Sequence, residues 1–527
     1  MSAEPWWQQG AIYQLLVPSF LDTNNDGLGD LEGVTMRLDY LQWLGINGVW
    51  LSPCYASPLK ELGYDVSSYR NIEPRFGSLE SFDRLLNEAH QRDIHVILDW
   101  VGNHTSSQHP WFRESRSSRT NPRRNWYLWH DPRPDGSPPN NWISVFGGSV
   151  WQWDAGTQQY YMHTFLDSQP DLNWREPAMR AAMFDALKFW LDRGVDGFRL
   201  DAPSLFFKDV EWRDNPVNPD YEPGELPDST LLPIHTRNQP GLHELFVELR
   251  KFVDSYPGDR VLLGEFYLPI EELVTFYGAQ APELHLPLNL KLTYLQWEPS
   301  VVARGLAEYQ GRVSGRGWPT TTLDTHDQPR IVARAGLTQA RVAAMLLLTQ
   351  RGTPTLYYGD EIGMRGVEIP AERALDPQGR RTGRNRDPAR TPMQWSGDAH
   401  AGFSTVEPWL PVGADRSNAN VASQSRDAGS LLTLYRRLLE LRSAEPVLRN
   451  GLHEPLAGGP ALVAYRRRNA TRRMLVVLNF VHEPTSYALG NDGPGRVLLS
   501  SVLDREGERV VDQVTLRADE GLVIALD

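Results

Sequence analysis

The chain has 527 residues, which is too long for one ordinary hydrophobic core and predicts two or three domains. Its 53 basic and 66 acidic side chains give a formal net charge of −13, which argues against a basic surface for nucleic acid. No apolar run approaches the roughly 20 residues that a membrane-spanning helix needs, and the single Cys54 excludes an internal disulfide framework and a cysteine metal site.

Residues 1–7 contain neither a basic region nor an apolar stretch, so the sequence predicts no secretory signal and favours a cytoplasmic location. From there, apolar runs typical of buried strands alternate with segments of helical period. Eight runs are predicted as strands: 12–17, 46–51, 94–101, 197–200, 261–265, 284–288, 321–323 and 355–358. Helices are predicted between most of them, for example over 34–44, 79–91, 177–193, 242–256 and 338–349.

Eight strand and helix alternations predict a parallel sheet closed into a (β/α)₈ TIM barrel. A doubly wound open sheet is the alternative, but it does not need eight units, and no Gly-x-Gly-x-x-Gly follows the first strand. The barrel is assigned to residues 1–101 and 174–444. A loop-rich insertion without a helix of useful length occupies 102–173, after strand three, and a long polar loop occupies 363–425. Short alternating strands predict a C-terminal β-sandwich domain over 445–527.

The segment 22–30 places oxygen-bearing residues at alternate positions, with Gly27 at the sixth position for a sharp turn. The candidate ligands are Asp22, Asn24, Asp26, the carbonyl of Leu28, and Asp30. Ca²⁺ prefers such an all-oxygen set, so the sequence predicts one structural calcium site. Mg²⁺ is an alternative occupant, and a metal-free turn that caps the next helix is the alternative structure.

Acidic residues follow several predicted strands, at the end of a barrel where catalytic groups collect. They are Asp99, Asp201, Glu265 and Asp327, accompanied by His104 and His326. Two or three converging carboxyl groups fit glycoside hydrolysis, which needs an acid and a base or nucleophile. A divalent metal site is the alternative use of the same side chains.

In order and spacing, these segments resemble the signature regions of the α-amylase family (glycoside hydrolase family 13). The segments that carry the resemblance are Asp99…Asn103-His104, Gly197-Phe198-Arg199-Leu200-Asp201, Gly264-Glu265 and His326-Asp327. Three further segments resemble one branch of the family. Gln169-Pro170-Asp171-Leu172-Asn173-Trp174 looks like the extra region of the oligo-1,6-glucosidase branch. The Asn-Asn-Trp…Phe-Gly-Gly stretch over 140–148 and the segment from Arg386 to Trp395 look like that branch's α-glucosidases. The resemblance covers nearly the whole chain.

The resemblance implies that Asp201 is the nucleophile, that Glu265 is the general acid/base, and that Asp327 holds sugar hydroxyls. The residues implied to bind substrate are Tyr64, Asp65, His104, Phe146, Phe165, Arg199, Ala202, His326 and Arg386. Tyr64 would stack on the nonreducing glucose, Arg199 would orient Asp201, and the two phenylalanines would narrow the entrance. Arg386 would pair with Asp65 to close the pocket, with Arg390 as the alternative. The branch's calcium site would use the loop ligands named above.

Two positions depart from the branch. Thr325 stands where Asn usually precedes the His-Asp pair. Ala202 follows the nucleophile, where Val resembles the α-1,6-specific enzymes and smaller residues resemble α-1,4 or broader enzymes. The resemblance therefore implies a retaining, exo-acting α-glucosidase for short α-glucosides, namely maltose, maltooligosaccharides, isomaltose and sucrose.

Two other functions fit the same motifs. An intramolecular isomerase, such as a trehalose or isomaltulose synthase, differs in whether the released sugar attacks before water does. A catalytically silent sugar-binding subunit would have lost the nucleophile or the acid, and both are present in this sequence. The expected partner is a small oligosaccharide, with no nucleic acid and no membrane.

Overall fold

A computed structural model describes residues 4–527. Residues 1–3, which begin the segment for which no secretory signal is predicted, lie outside the described residues. Eight buried parallel strands form the largest sheet. They are β1 Ile12–Leu15, β2 Gly48–Leu51, β3 His95–Val101, β4 Gly197–Asp201, β5 Val261–Phe266, β6 Leu286–Asn289, β7 Thr320–Thr322 and β8 Thr353–Tyr357. They match the eight predicted runs to within a few residues.

The strands are ordered around a closed barrel. Each of β1 to β5 pairs in parallel with the next strand, β7 pairs with β8, and β8 pairs with β1 through Ile12 opposite Thr355. Between β6 and β7 the Thr320 hydroxyl accepts from the Asn289 amide at 2.9 Å and donates to the Pro287 carbonyl at 3.2 Å. The predicted (β/α)₈ barrel is confirmed, because the first strand of a doubly wound open sheet would not pair with the eighth.

Helices cover the outside of the barrel. The main ones are Leu31–Met36, Leu38–Leu44, Leu79–His90, Pro177–Arg193, Leu242–Asp254, Pro299–Val313, Leu337–Thr349 and Leu431–Ala444. The first helix was predicted as one segment over 34–44, but it begins at Leu31, because the Asp30 carboxylate caps the Gly33 amide at 2.8 Å. It is interrupted at Arg37, whose φ of −105° and ψ of 6° leave the helical region.

The insertion after β3 contains an antiparallel sheet of three short strands, Trp129–His130, Trp151–Asp154 and Gln159–Met162. It also contains the helix Pro110–Ser117, so the expectation that residues 102–173 hold no useful helix is wrong. Pro110 is preorganised for the first helical turn, and the His109 ring caps the Trp111 amide at 3.1 Å. The high tryptophan and proline content concealed this eight-residue helix.

The C-terminal region is built on an antiparallel six-stranded sheet and a separate two-stranded sheet. The large sheet contains Leu452–Leu456, Leu462–Arg468, Arg473–Asn479, Gly495–Ser500, Arg509–Val510 and Gly521–Leu526, and the small one contains Thr485–Ala488 and Gln513–Leu516. Within the region of predicted alternating strands, the apolar pattern over 510–516 is thus divided between two strands in different sheets. Over the described residues, no helix combines the length and the apolar character needed to cross a bilayer.

Candidate active site

Three carboxyl groups at the mouth of the barrel surround one buried guanidinium. Arg199 on β4 lies opposite Asp99 on β3, and Leu200 lies opposite Gly264 on β5, so the residues that follow, Asp201 and Glu265, are neighbours. Arg199 Nη1 lies 2.8 Å from both Asp99 and Asp201, and Nη2 lies 2.5 Å from Glu265. The alternating direction of side chains along each strand aims these groups at a common point.

The carboxyls of Asp201 and Glu265 resist ionisation. Burial raises the pKa of both, that of Glu265 to about 7, while the Arg199 charge opposes the rise. The negative charge of Glu265 raises the pKa of Asp201 further. Glu265, with a pKa of about 7, therefore keeps part of its protonation at neutral pH beside a second carboxyl, which is the arrangement that an acid working next to a base or nucleophile needs.

Asp327, in the loop after β7, is held as a carboxylate. Burial favours its neutral form, but its Oδ1 lies 3.0 Å from Arg386 and 3.0 Å from Arg390. These permanent charges, with a contact of 3.2 Å from His326, hold the pKa of Asp327 well below its usual range. A half-buried anion is thus placed beside the Asp201 and Glu265 pair.

Two neutral histidines line the same space. Burial lowers the pKa of His104 to about 4 and that of His326 to about 3, so both rings are uncharged at neutral pH. The Gln14 amide contacts His326 Nδ1 at 2.9 Å, which leaves the proton on Nε2 beside Asp327. His104 Nε2 lies 3.0 Å from the Tyr64 carbonyl, to which it donates.

Tyr64 packs between these groups. Its ring stacks on His326 with centroids 5.5 Å apart and an interplanar angle of 8°. Its hydroxyl donates to Asp99 at 3.0 Å and also lies 2.9 Å from His326 Nε2. The predicted sugar-stacking residue is therefore fixed at the base of the site, where burial holds the pKa of its phenol well above the usual value.

The predicted pairing of Asp65 with Arg386 or Arg390 is wrong. Asp65 is fully buried, and its carboxylate accepts from the Ser57 hydroxyl at 2.9 Å and from the amides of residues 60 and 61. Arg386 instead pairs with Glu61 at 3.0 Å and with Asp376 at 2.7 Å. Glu61, four residues earlier, therefore makes the ion pair expected for Asp65, and Asp65 is bonded within its own loop.

The insertion closes one side of the site with aromatic rings. Phe146 lies edge to face with Phe165, centroids 5.7 Å apart, and Phe165 lies 5.1 Å from the His104 ring. The Arg386 guanidinium lies over Phe146 at 5.2 Å. The rings predicted to narrow the entrance thus sit between His104 and Arg386, although Phe146 is itself buried.

Ala202 has a backbone role that the sequence analysis missed. Its φ of +42° and ψ of 46° are left-handed, a conformation that residues with a β-carbon rarely adopt. This turn directs the Ala202 amide to Glu265 Oε2 at 3.1 Å. The residue after Asp201 therefore holds the second carboxyl of the pair in place through its backbone.

Two exposed tyrosines flank the open side of the site and were also missed. Tyr267, two residues after Glu265, is 39% exposed, and Tyr294 after β6 is 49% exposed. Their ring centroids lie 6.4 Å apart. The sequence could have indicated both tyrosines, because each follows a strand of the predicted barrel within a few positions.

The oxygens of the predicted calcium loop also fold the loop. Asp22 accepts from the amides of Asn24, Asn25 and Gly27, and Asp30 accepts from Thr23 and caps the next helix. The donor chemistry fits a hard cation. Among the described residues, no group of three or more His, Cys, Asp or Glu side chains is arranged around a common metal position. The calcium site stays a prediction.

The mouth of the barrel holds two carboxyls with raised pKa values, a fixed carboxylate and neutral imidazole donors. The carboxyl pair and the imidazoles are buried, and Asp327 is half-buried. Such a set suits a neutral ligand rich in hydroxyl groups, because it offers both donors and acceptors without excess charge.

The α-amylase catalytic-domain family model matches residues 14–451. A probable α-glucosidase of Rhizobium meliloti is 38% identical over 523 residues, with 95% of each chain covered. An oligo-1,6-glucosidase of Heyndrickxia coagulans is 37% identical, with 92% of this chain and 94% of that protein covered. Among solved structures, the α-glucosyl transfer enzyme XgtA superposes with a TM-score of 0.94 at 37% identity, with 99% of this chain and 100% of that chain covered.

Proposed function

The chain belongs to the α-amylase family of glycoside hydrolases, and we propose that it is a retaining, exo-acting α-glucosidase that acts on short α-glucosides. The observation that carries this proposal is the Arg199 guanidinium that holds Asp201 and Glu265 side by side. Neighbouring strands lie about 4.8 Å apart, and retaining glycosidases use two carboxyls about 5–5.5 Å apart. The register of Asp201 and Glu265 on β4 and β5 supports such a spacing and, with it, a covalent intermediate.

In the proposed first step, the Asp201 carboxylate forms a bond to the anomeric carbon as the bond from that carbon to the leaving oxygen breaks. Glu265 gives its proton to the leaving oxygen, so a neutral sugar departs. In the second step Glu265 removes a proton from water, and the water oxygen displaces Asp201 from the anomeric carbon. Both groups return to their starting protonation states.

Asp327, His104 and His326 are proposed to bind the hydroxyls of the reacting glucose. The fixed charge of Asp327 accepts hydrogen bonds, and the neutral rings supply donors without adding charge. The network of Arg386 with Glu61 and Asp327 is proposed to block the far end of the pocket. A glucan chain then cannot pass through, and glucose is released one unit at a time from the nonreducing end.

A product profile tests this proposal. Maltose, maltotriose, isomaltose, sucrose and trehalose are each incubated with the enzyme, and NMR records the anomer released first. Glucose as the main product, released as the α-anomer, is the expected result. Release of β-glucose would remove the retaining mechanism. Starch is added as a sixth substrate, and maltotriose as its main product would remove the closed pocket.

Glucosyl transfer to a sugar acceptor, including the intramolecular isomerisation of a trehalose synthase, is the second candidate. Tyr267 and Tyr294 favour it, because two exposed rings beside Glu265 can hold a second sugar against their faces. The XgtA likeness supports the same candidate. Trehalose or longer glucosides from maltose, in place of glucose, would select transfer over hydrolysis.

The activity should fall as the pH rises through about 7. Glu265 must carry a proton to act as the acid, and burial raises its pKa to about 7, so the active form is lost on the alkaline side. The measurement is kcat/KM for p-nitrophenyl α-glucoside between pH 4 and 10. In Glu265→Gln the residual rate should lack this alkaline limb, and a wild-type plateau that extends to pH 9 would contradict the assignment.

Ala202→Val should shift preference from maltose toward isomaltose by about 1–2 kcal/mol, roughly ten-fold in the ratio of kcat/KM values, because the added methyls fill space beside the second sugar. A β-branched side chain fits the left-handed backbone at this position less well than Ala does, so the Tm should also fall. Ala202→Gly, which relieves the backbone without adding bulk, is the matched control and should keep the parent's preference. An unchanged ratio in the Val variant would remove Ala202 as a determinant of specificity.

We also propose that the loop over 22–30 binds Ca²⁺ and that the ion has a structural role. Asp22 already joins the loop to the polar segment over 363–425, through its amide to Phe403 and its carboxylate to Ser404. Removing an ion supplied at 100 times its Kd should lower the free energy of unfolding by about 2.7 kcal/mol. Chelation should therefore lower the Tm more than the initial rate at 25 °C. Immediate inactivation that Zn²⁺ reverses and Ca²⁺ does not would contradict this role.

A further inference from the structure

A second cavity lies on the outside of the barrel, behind the insertion. Its volume is about 330 Å³, and none of the residues placed at the mouth of the barrel lines it. We name it the outer pocket and define it by Tyr69, Arg70, His109, Trp111, Arg123 and Trp126. It lies where the strand Ser68–Ile72, the helix Pro110–Ser117 and the helix Pro177–Arg193 meet.

Aromatic rings form a continuous wall of the outer pocket. Trp111 is central, with its ring centroid 4.4 Å from His109, 5.0 Å from Trp126 and 6.0 Å from Tyr69. Trp111 is only half-buried, so part of its ring borders the cavity. Such a wall binds the C–H face of a planar or ring-shaped ligand through area burial.

The polar groups of the outer pocket are balanced in charge. Arg70 pairs with Asp185, and Arg123 pairs with Glu114 at 2.8 Å while its guanidinium lies over Trp126. Burial lowers the pKa of His109 to about 3, so this ring adds no charge at neutral pH. Because each guanidinium already has a carboxylate partner, the pocket favours a neutral ligand over an anion.

We propose that the outer pocket binds a glucosyl ring of a neutral oligosaccharide, as a second carbohydrate site apart from the mouth of the barrel. A pyranose presents an apolar C–H face to Trp111 and a rim of hydroxyls that both donate and accept, which matches guanidinium donors beside the Asp185 acceptor. The cavity volume is near the lower end of the roughly 300–1,000 Å³ of small-molecule sites. The choice of an oligosaccharide rests on the proposed function.

The side chain of Tyr69 connects the outer pocket to the mouth of the barrel. The Tyr69 hydroxyl donates to the carbonyls of Val101 at 2.7 Å and His104 at 3.0 Å. His104 is among the residues proposed to bind the reacting glucose. A sugar that packs on the pocket side of Tyr69 therefore contacts a residue that also holds the backbone of the first site.

Equilibrium dialysis with radiolabelled maltotriose tests the proposal by counting bound sugars per chain. The protein is the Asp201→Asn variant, which should bind sugar without turnover. Adding Ser68→Trp, which fills the outer pocket from a half-buried position, should lower the count by one. Ser443→Trp, the same change at an exposed position on the helix Leu431–Ala444, should leave the count unchanged.

Trp111→Ala provides a second variant, and circular dichroism establishes that each protein is folded. An unchanged count in folded Ser68→Trp and Trp111→Ala proteins would overturn the proposal. The wild-type enzyme is assayed on maltose in parallel, because absence of turnover there would count against the proposed function without altering the number of sugars bound. In a chain that keeps Asp201, Ser68→Trp should change kcat/KM for maltose by less than a substitution of Asp201 does.

Discussion

Asp201→Asn should abolish turnover while the protein stays folded. An amide cannot form the proposed covalent glucosyl intermediate, so kcat should fall by about 10⁴-fold or more, the scale seen when a nucleophile is removed. The fold should be retained, because Asn keeps the shape of Asp201 and removes one of three carboxyls crowded around Arg199. The measurements are kcat for p-nitrophenyl α-glucoside and the Tm.

Asp99→Asn is the matched control for this variant. Asp99 is also buried and lies at the same 2.8 Å from Arg199 Nη1, but it is one strand farther from Glu265. The control reports what the loss of one charge does to the cluster, and the additional loss in Asp201→Asn reports the covalent role. Equal losses in the two variants, or retained turnover in Asp201→Asn, would remove Asp201 as the nucleophile.

Arg199→Met should destabilise the protein by about 3–5 kcal/mol, because it removes the cation from a buried charge cluster. Asp99, Asp201 and Glu265 would then face each other without a positive partner, and their pKa values should rise further. Carboxyls with raised pKa values stabilise the fold while they are protonated and lose that contribution as the pH rises. The variant should therefore be least stable at alkaline pH, and its deficit relative to wild type should shrink as the pH falls toward 5.

Denaturant unfolding of Arg199→Met and the wild type at pH 5, 7 and 8.5 measures this effect. Arg199→Lys is the control, since it keeps the charge but cannot reach all three carboxyls with one planar fork, so its stability should be intermediate. A free energy of unfolding within about 1 kcal/mol of the wild type at every pH would contradict the role assigned to Arg199.

The barrel could be predicted from the sequence because its strands are short buried runs and its helices keep a 3.6-residue period. The placement of Asp201 and Glu265 followed, since residues at the ends of parallel strands meet at one mouth. The sequence could not predict that Glu61, and not Asp65, pairs with Arg386, because the choice depends on a turn between the two acidic residues. In that turn Leu62 and Gly63 have φ values of +48° and +99°, which send the two carboxyls in different directions.

Other misses have the same local origin. No periodicity indicates that His109 starts a helix inside the insertion, because that start depends on a single side-chain hydrogen bond. A turn over 22–30 that caps the next helix was foreseen as the alternative to a calcium site, but the helix was still predicted to begin at residue 34 and not at Leu31. The left-handed Ala202 is equally invisible in composition, although it places an amide on Glu265. Patterns over ten residues locate strands and helices, whereas individual turns decide which polar atoms meet.

The pairing of the first barrel strand with the eighth has a consequence for how the protein is made. Ile12 on β1 lies opposite Thr355 on β8, so the two partners leave the ribosome roughly 340 residues apart. At about 5–20 residues per second, synthesis needs roughly 20–70 s to cover that distance. Throughout this time one edge of β1 presents unpaired amides and carbonyls to neighbouring nascent chains on the same message. Slower translation prolongs that exposure, so the yield of active enzyme should depend on elongation speed and on chaperones that cover the edge.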